Sequence, residues 1–198
     1  MTEVIVLKEG THGAVASGIA GVVDSVYPIC SAVVLIKGER NVIVDPGNFG
    51  YEDEILGQLD RNRLQPQDIG YVINTHEHYD HISNNYLFRH AQIIAFGCIW
   101  HGQRVDEYAN LDRIQIPGIR LIDAPGHTPS HIAVVVEGKP TYVIAGDAIR
   151  HDMLEKGCVN SRERESARKI LGIADVVIPG HGPLIQGERL EEFRRKLG

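Results

Sequence analysis

Short apolar runs, most of them built on Val and Ile and bounded by turn residues, recur along this chain and constrain its fold more than any other feature. They fall at Val4 to Leu7, Ala32 to Ile36, Val42 to Val44, Tyr71 to Ile73, Ile93 to Phe96, Arg120 to Ile122, Ile132 to Val136, Tyr142 to Ala145 and Asp175 to Ile178. Runs this short and this β-branched make better strands than helices, because branching at Cβ packs well on a pleated surface and restricts χ1 in a helix. Helical spacing of apolar residues appears at Tyr51 to Leu59, Arg162 to Leu171 and Glu188 to Leu197. Strands dominate the early part and helices enter between later strands. The expected class is therefore α/β (α+β), with two packed sheets and helices on their outer faces. No repeat, low-complexity tract or Pro/Ser-rich linker interrupts the chain, so residues 1–198 read as a single domain.

Composition excludes some functions. A net charge of -6 argues against a protein that coats nucleic acid, which needs a basic footprint, although local cleavage of RNA stays open. The 3 cysteines, Cys30, Cys98 and Cys158, form no C-x-x-C pair and read as buried small hydrophobes in a reducing compartment. Met1 to Gly10 reads as a strand rather than a cleaved leader, and no run approaches the roughly 20 apolar residues that span a bilayer. The expected address is the cytoplasm, with no membrane partner; a homo-oligomer is compatible with the sequence.

The chemistry is concentrated in Thr75-His76-Glu77-His78-Tyr79-Asp80-His81, directly after the run Tyr71 to Ile73. Residues two apart in an extended backbone point to one side, so His76 and His78 can reach one ion together. A turn at Tyr79 into a helical pattern from Ile82 to His90 would aim Asp80 and His81 at a second ion, about 3.5–4 Å from the first. Three later runs end alike: each leads through a Gly to a potential ligand, at His127, Asp147 and His181. Imidazole and carboxylate donors without thiolate suit Zn, with Fe, Mn or Co as alternatives, and do not suit a structural zinc knot. A carboxylate has two oxygens, which makes Asp147 the natural bridge between two ions.

Other polar residues carry weaker signals. His12, His90 and His101 read as surface or structural. His131, four residues after His127, is a candidate hydrogen-bond partner for a ligand, and His151 a candidate for facing substrate. Asp45, in Val44-Asp45-Pro46-Gly47, is equally well an ordinary turn or the carboxylate that orients a ligating His. Arg150 lies three residues beyond Asp147, where a guanidinium could grip a phosphate. The bases that follow it, Lys156, Arg162, Arg164, Arg168 and Lys169, read as a solvated face paired with Asp152, Glu155, Glu163 and Glu165.

In order and spacing, His76-x-His78-x-Asp80-His81 followed by His127, Asp147 and His181 resembles the metallo-β-lactamase superfamily, over about Cys30 to Pro183. The resemblance implies a four-layer αββα sandwich of two mixed sheets flanked by helices, with the site at the edge of the sheets. It implies two divalent ions per chain, one on His76, His78 and His127 and the other on Asp80, His81 and His181, with Asp147 between them and Asp45 behind a ligand. The β-lactamases of that family usually carry Cys where this chain has Asp147, so the hydrolase branches are the better match. The sequence from Gly182 to Gly198 is too short for the helical domain of glyoxalase II, and the stretch from Asp147 to His181 leaves no space for a β-CASP insert.

The function expected is hydrolysis of a carboxylic ester, lactone, thioester or phosphoester by a hydroxide shared between two ions. Asp80 and Asp147 would be its catalytic carboxylates, and Asp80 would also orient the nucleophile. The alternatives are a metal-dependent ribonuclease or phosphodiesterase, and an iron-dependent enzyme resembling the persulfide dioxygenases. A binding module that lost its chemistry should show eroded ligands, and none of these positions is eroded.

Overall fold

The computed structural model describes residues 2–11, 29–108 and 110–197. In chain order the first half holds β1 (Glu3–Lys8), β2 (Val33–Lys37), β3 (Asn41–Val44), α1 (Glu52–Arg61), β4 (Ile69–Ile73), α2 (Tyr79–Ile82), β5 (Gln92–Ala95), β6 (Cys98–His101) and β7 (Arg104–Glu107). The second half holds β8 (Ile119–Asp123), β9 (Ile132–Val136), β10 (Tyr142–Gly146), α3 (Met153–Lys156), α4 (Ser161–Ile173), β11 (Val176–Pro179), β12 (Ile185–Gln186) and α5 (Gly187–Leu197).

The strands form a 7-stranded sheet in the order β1-β2-β3-β4-β5-β6-β7 and a 5-stranded sheet in the order β12-β11-β10-β9-β8. Both are mixed: β3, β4 and β5 run parallel, as do β10 and β11, and the remaining pairs are antiparallel.

The Val/Ile runs are nearly continuous because both faces of each sheet are covered. Val34, Ile36, Val42, Val44, Ile73 and Ile94 meet Leu121, Ile132, Val134, Val136, Ile144 and Ile178 between the sheets. Their neighbours one residue away point outward. Val33, Leu35, Ile43 and Val72 pack on Ile55 and Leu59 of α1 and on Phe88. Ala133, Val135, Val143 and Val177 pack on Ala167, Ile170 and Leu171 of α4 and Leu190 and Phe193 of α5. Each fully buried Val, Leu, Ile or Phe among them contributes roughly 1.5–3 kcal/mol. The result is the four-layer αββα sandwich that the resemblance implied.

Several expectations are corrected. Ile82 to His90 is not one helix: α2 stops at Ile82 and a 3-10 segment runs over Ser83–Phe88. The reason is the tether at Asn84, whose backbone N–H donates to Gly47 O at 3.3 Å while its Nδ2 donates to Asn48 O at 2.6 Å. The hairpin of β6 and β7 was not foreseen, because every residue of β7 is exposed and carries no apolar alternation. The two-residue β12 was missed for its length. Of the cysteines only Cys30 is buried; Cys98 and Cys158 are half-buried, and all three are free. His90 and His101 are exposed, and His12 lies outside the described residues. Among the described residues no helix is long and apolar enough to cross a membrane.

Candidate metal centre

The C-terminal ends of β3, β4, β10 and β11 open on one edge of the sandwich, and the two sheets are laced together there. Ala32 N–H donates to Gly180 O at 2.7 Å, Ile132 N–H to Thr75 O at 2.9 Å and Gly182 N–H to Gly10 O at 2.9 Å. The segment after β4 supplies His76 and His78, and α2 supplies Asp80 and His81. The loops after β8, β10 and β11 supply His127, Asp147 and His181.

All seven side chains converge. They fall into two clusters, His76, His78, His127 and Asp147 in one and Asp80, His81 and His181 in the other, each with its donor atoms within 4.8 Å of one another. In the first, His78 Nδ1 lies 3.0 Å from His76 Nε2 and 3.1 Å from His127 Nε2. In the second, Asp80 Oδ2 lies 3.2 Å from His181 Nε2 and 3.7 Å from His81 Nε2. Asp147 faces both: its Oδ2 is 3.3 Å from His127 Nε2, and its Oδ1 is 3.6 Å from both His81 Nε2 and His181 Nε2.

Glycine makes this approach possible. A Cβ on Gly180 would sit 2.2 Å from Asp147 Oδ1, and Gly146, at φ +49°, would drive one to 2.4 Å from Thr75 Oγ1. The same loops need what only glycine permits, a left-handed turn or backbone pressed against a ligand.

The groups behind the donors fix their orientation. Asp45 is buried and accepts three hydrogen bonds: Thr75 N–H at 2.7 Å, Thr75 Oγ1–H at 2.7 Å and His81 Nδ1–H at 2.8 Å. That turns His81 Nε2 toward the cluster. On the far side His181 Nδ1 donates to Thr11 O at 3.1 Å.

The fit to a cation can be judged from the buried atoms. Neither His81 Nε2 nor Asp147 Oδ1 has a hydrogen-bond partner, although both are buried. Unpaired buried polar atoms of this kind are costly unless something coordinates them, and imidazole nitrogens about 3 Å apart share one focus rather than a proton each. The donor set therefore fits divalent cations.

Without an ion the electrostatics are divided. Burial opposes charge on His81, but Asp45, Asp147 and Asp80 outweigh it and push its pKa up to about 9. Burial, with the neighbouring imidazoles, pushes His76 far down. Burial works against ionised Asp80 as well, but the hydrogen bond from His181 and the charge near His81 hold its carboxyl below the usual range.

His131 departs from its expected role. It makes no hydrogen bond to a ligand; both ring nitrogens are buried without a partner, and the ring stacks on His76 with centroids 4.8 Å apart and planes at 20°. Burial pushes its pKa down to about 3.

Arg150 departs too. It lines the cavity as expected, but its Nη1 donates to Glu163 at 2.6 Å and to Asp147 O at 3.0 Å, and its Nε lies 3.4 Å from Asp152, so the guanidinium is already engaged by the protein. Glu163, read as part of a solvated face, is buried. Its signal in the sequence was Asn160 three residues earlier, the spacing of a helix cap and its N3 partner. His151 lines the cavity, with Nε2 2.9 Å from Pro183 O. That cavity, of about 700 Å³, is walled by Ile29, Gly182 and Pro183 beside the clusters, with Lys156 at its rim, paired to Asp152 at 3.2 Å.

The comparisons with known proteins agree with this geometry. The sequence profile described as the metallo-beta-lactamase superfamily matches residues 28–105. Metallo-beta-lactamase domain-containing protein 1 of Xenopus laevis is 35% identical over 171 residues, covering 77% of this chain and 70% of that protein. A Methanocaldococcus jannaschii protein named as a probable metallo-hydrolase is 34% identical over 160 residues, 75% of this chain and 74% of its own. In structure, a Thermotoga maritima protein provisionally described as a metallo-beta-lactamase superimposes with a TM-score of 0.71 at 19% identity, over 94% of this chain and 99% of that one. With relatives this similar over this much of their length, the chain belongs to the metallo-beta-lactamase superfamily and is a metal-dependent hydrolase.

Proposed function

We propose that the chain is a dinuclear hydrolase of ester-type bonds, acting on small esters, lactones or thioesters, with zinc as its ions. The observation that carries this reading is the attitude of Asp147, whose two oxygens face different clusters, as a carboxylate shared between two cations must. His76, His78 and His127 would hold one ion, Asp80, His81 and His181 the other, and Asp147 both. Divalent ions held there supply Lewis acidity and lower the pKa of water from about 15.7 toward about 7.

The chain's own groups do the rest. Asp80 is held ionised, and with Oδ2 turned to His181 its other oxygen can accept a hydrogen bond from the attacking water and later its proton. Ile29 and Pro183 would present an apolar wall to one side of a bound substrate. The cations at the rim, Arg150 and Lys156, are both paired with acids, which favours a neutral acyl substrate over the phosphates of RNA. Three free cysteines fit a reducing compartment such as the cytoplasm.

The test is elemental analysis of the purified protein together with a panel of esters, lactones, thioesters, phosphodiesters and short RNA. Two zinc ions per chain and turnover of neutral acyl substrates are expected, and Asp147→Asn should weaken both ions together. A single iron with oxygen uptake on a persulfide, or cleavage confined to RNA, overturns the reading.

A further inference from the structure

We infer that Arg150 and the buried Glu163 form a brace that locks the His127 and Asp147 loops to each other, making Arg150 chiefly a positioning residue for the His127 cluster. The inference rests on the proposal that His76, His78, His127 and Asp147 hold an ion.

The brace can be followed atom by atom. Arg150 Nη1 donates to the backbone carbonyl of Asp147 at 3.0 Å and to Glu163 Oε1 at 2.6 Å. Glu163 Oε2 accepts the N–H of Val159, so both carboxylate oxygens are engaged. The Glu163 backbone lies directly beneath the turn that presents His127: a Cβ on Gly126 would come within 2.4 Å of Glu163 Cα. Two neighbours on the same helix start hold that turn from either side. Asn160 caps α4 by accepting Glu163 N–H at 2.9 Å and donates its Nδ2 to Gly126 O at 3.0 Å. Ser166 Oγ donates to Pro125 O at 2.7 Å.

A path of short contacts thus joins the residue carrying Asp147 to the residue preceding His127. His127 Nε2 and Asp147 Oδ2 stand 3.3 Å apart at its end. Loops alone would not hold two side chains from different strand ends at that separation. The other cluster depends on different supports, since His81 is oriented by Asp45 and His181 by Thr11 O. The brace should therefore act mainly on the His127 ion; the other, which shares only Asp147 with it, should lose less, whereas a general role in folding would weaken both alike.

The experiment is zinc competition against a chromophoric chelator, resolving two binding steps in the wild type. The steps are assigned with His127→Ala, which should weaken one, and His181→Ala, which should weaken the other. Removing Arg150 alone leaves the buried Glu163 charge unpaired and threatens the fold. The decisive variant is therefore the double Arg150→Met, Glu163→Gln, with the near-ultraviolet circular dichroism and melting of the metal-free protein recorded beside it. Loss of a partner behind metal ligands weakens binding by about 10- to 100-fold. A loss of that size is expected on the His127 step, with a clearly smaller one on the His181 step through the shared Asp147, and with Arg150→Lys intermediate. Wild-type affinity at both steps in a folded double variant overturns the brace. So does an equal loss at both steps that tracks a lowered melting temperature, because that is the mark of general destabilisation. A wild type that takes up no zinc fails at an earlier point, and overturns the metal reading itself.

Discussion

Asp45 stands at φ +50°, a left-handed conformation that Asp tolerates better than most residues and that the following Pro46 keeps out of the helical region. That strained turn aims its carboxylate inward, where it takes hydrogen bonds from Thr75 and His81 and fixes which nitrogen of His81 faces the cluster. An amide at this position has one acceptor where three donors arrive. Asp45→Asn should lower zinc affinity about 10- to 100-fold at the step assigned to His181, leaving the His127 step within a few-fold of wild type. Equal loss at both steps would show that the Thr75 contacts matter more than the His81 contact. The sequence left this residue balanced between a turn and a support, since Asp-Pro-Gly fits both and only the tertiary position of His81 separates them. Arg150 was legible as close to Asp147 in the chain, but its partner Glu163 was not, because helical spacing alone marks a surface position and burial against Gly126 is a tertiary fact.

The elements show the same division. Strands covered on both faces advertise themselves by unbroken Val and Ile, so the frame of both sheets could be read directly from the chain. The hairpin of β6 and β7 and the break after α2 could not, because an exposed strand needs no apolar pattern and a backbone tether to Gly47 leaves none. What the strands do for the site is deliver ligands across turns with no room for a side chain. Gly180 is the sharpest case, since its missing Cβ would stand 2.2 Å from Asp147 Oδ1 and 2.9 Å from His81 Cε1. These neighbours sit in a packed, buried corner and have little space to give. Gly180→Ala should therefore displace Asp147 and weaken both ions together by at least about tenfold. Outer-face packing is untouched, so the fold should persist. Normal zinc stoichiometry and affinity in Gly180→Ala would mean that the corner is softer than its geometry implies.

At the scale of the whole molecule, the two clusters draw ligands from both sheets, so ions bound there should tie the sandwich together as well as serve chemistry. A ligand that binds only the folded state stabilises it by about 1.4 kcal/mol for each tenfold excess over its dissociation constant, per ion. The size of that gain should depend on pH in a defined sense. In the metal-free protein His81 is raised from 6.5 to about 9, so its contribution to stability is fully present below 6.5 and is lost as pH rises through about 9. An ion must displace that proton to reach Nε2, so binding weakens as pH falls below 9. His181, also raised, acts in the same direction, while His76 and His127, both lowered by burial, are neutral in this range and do not compete. Both effects have one sign: the difference in unfolding free energy between zinc-loaded and metal-free protein should widen from pH 6.5 to pH 9. Chemical denaturation at fixed free zinc across that range measures it. A gap that stays constant or narrows would mean that His81 is already neutral in the metal-free fold, and that Asp45 orients the ring without holding its charge.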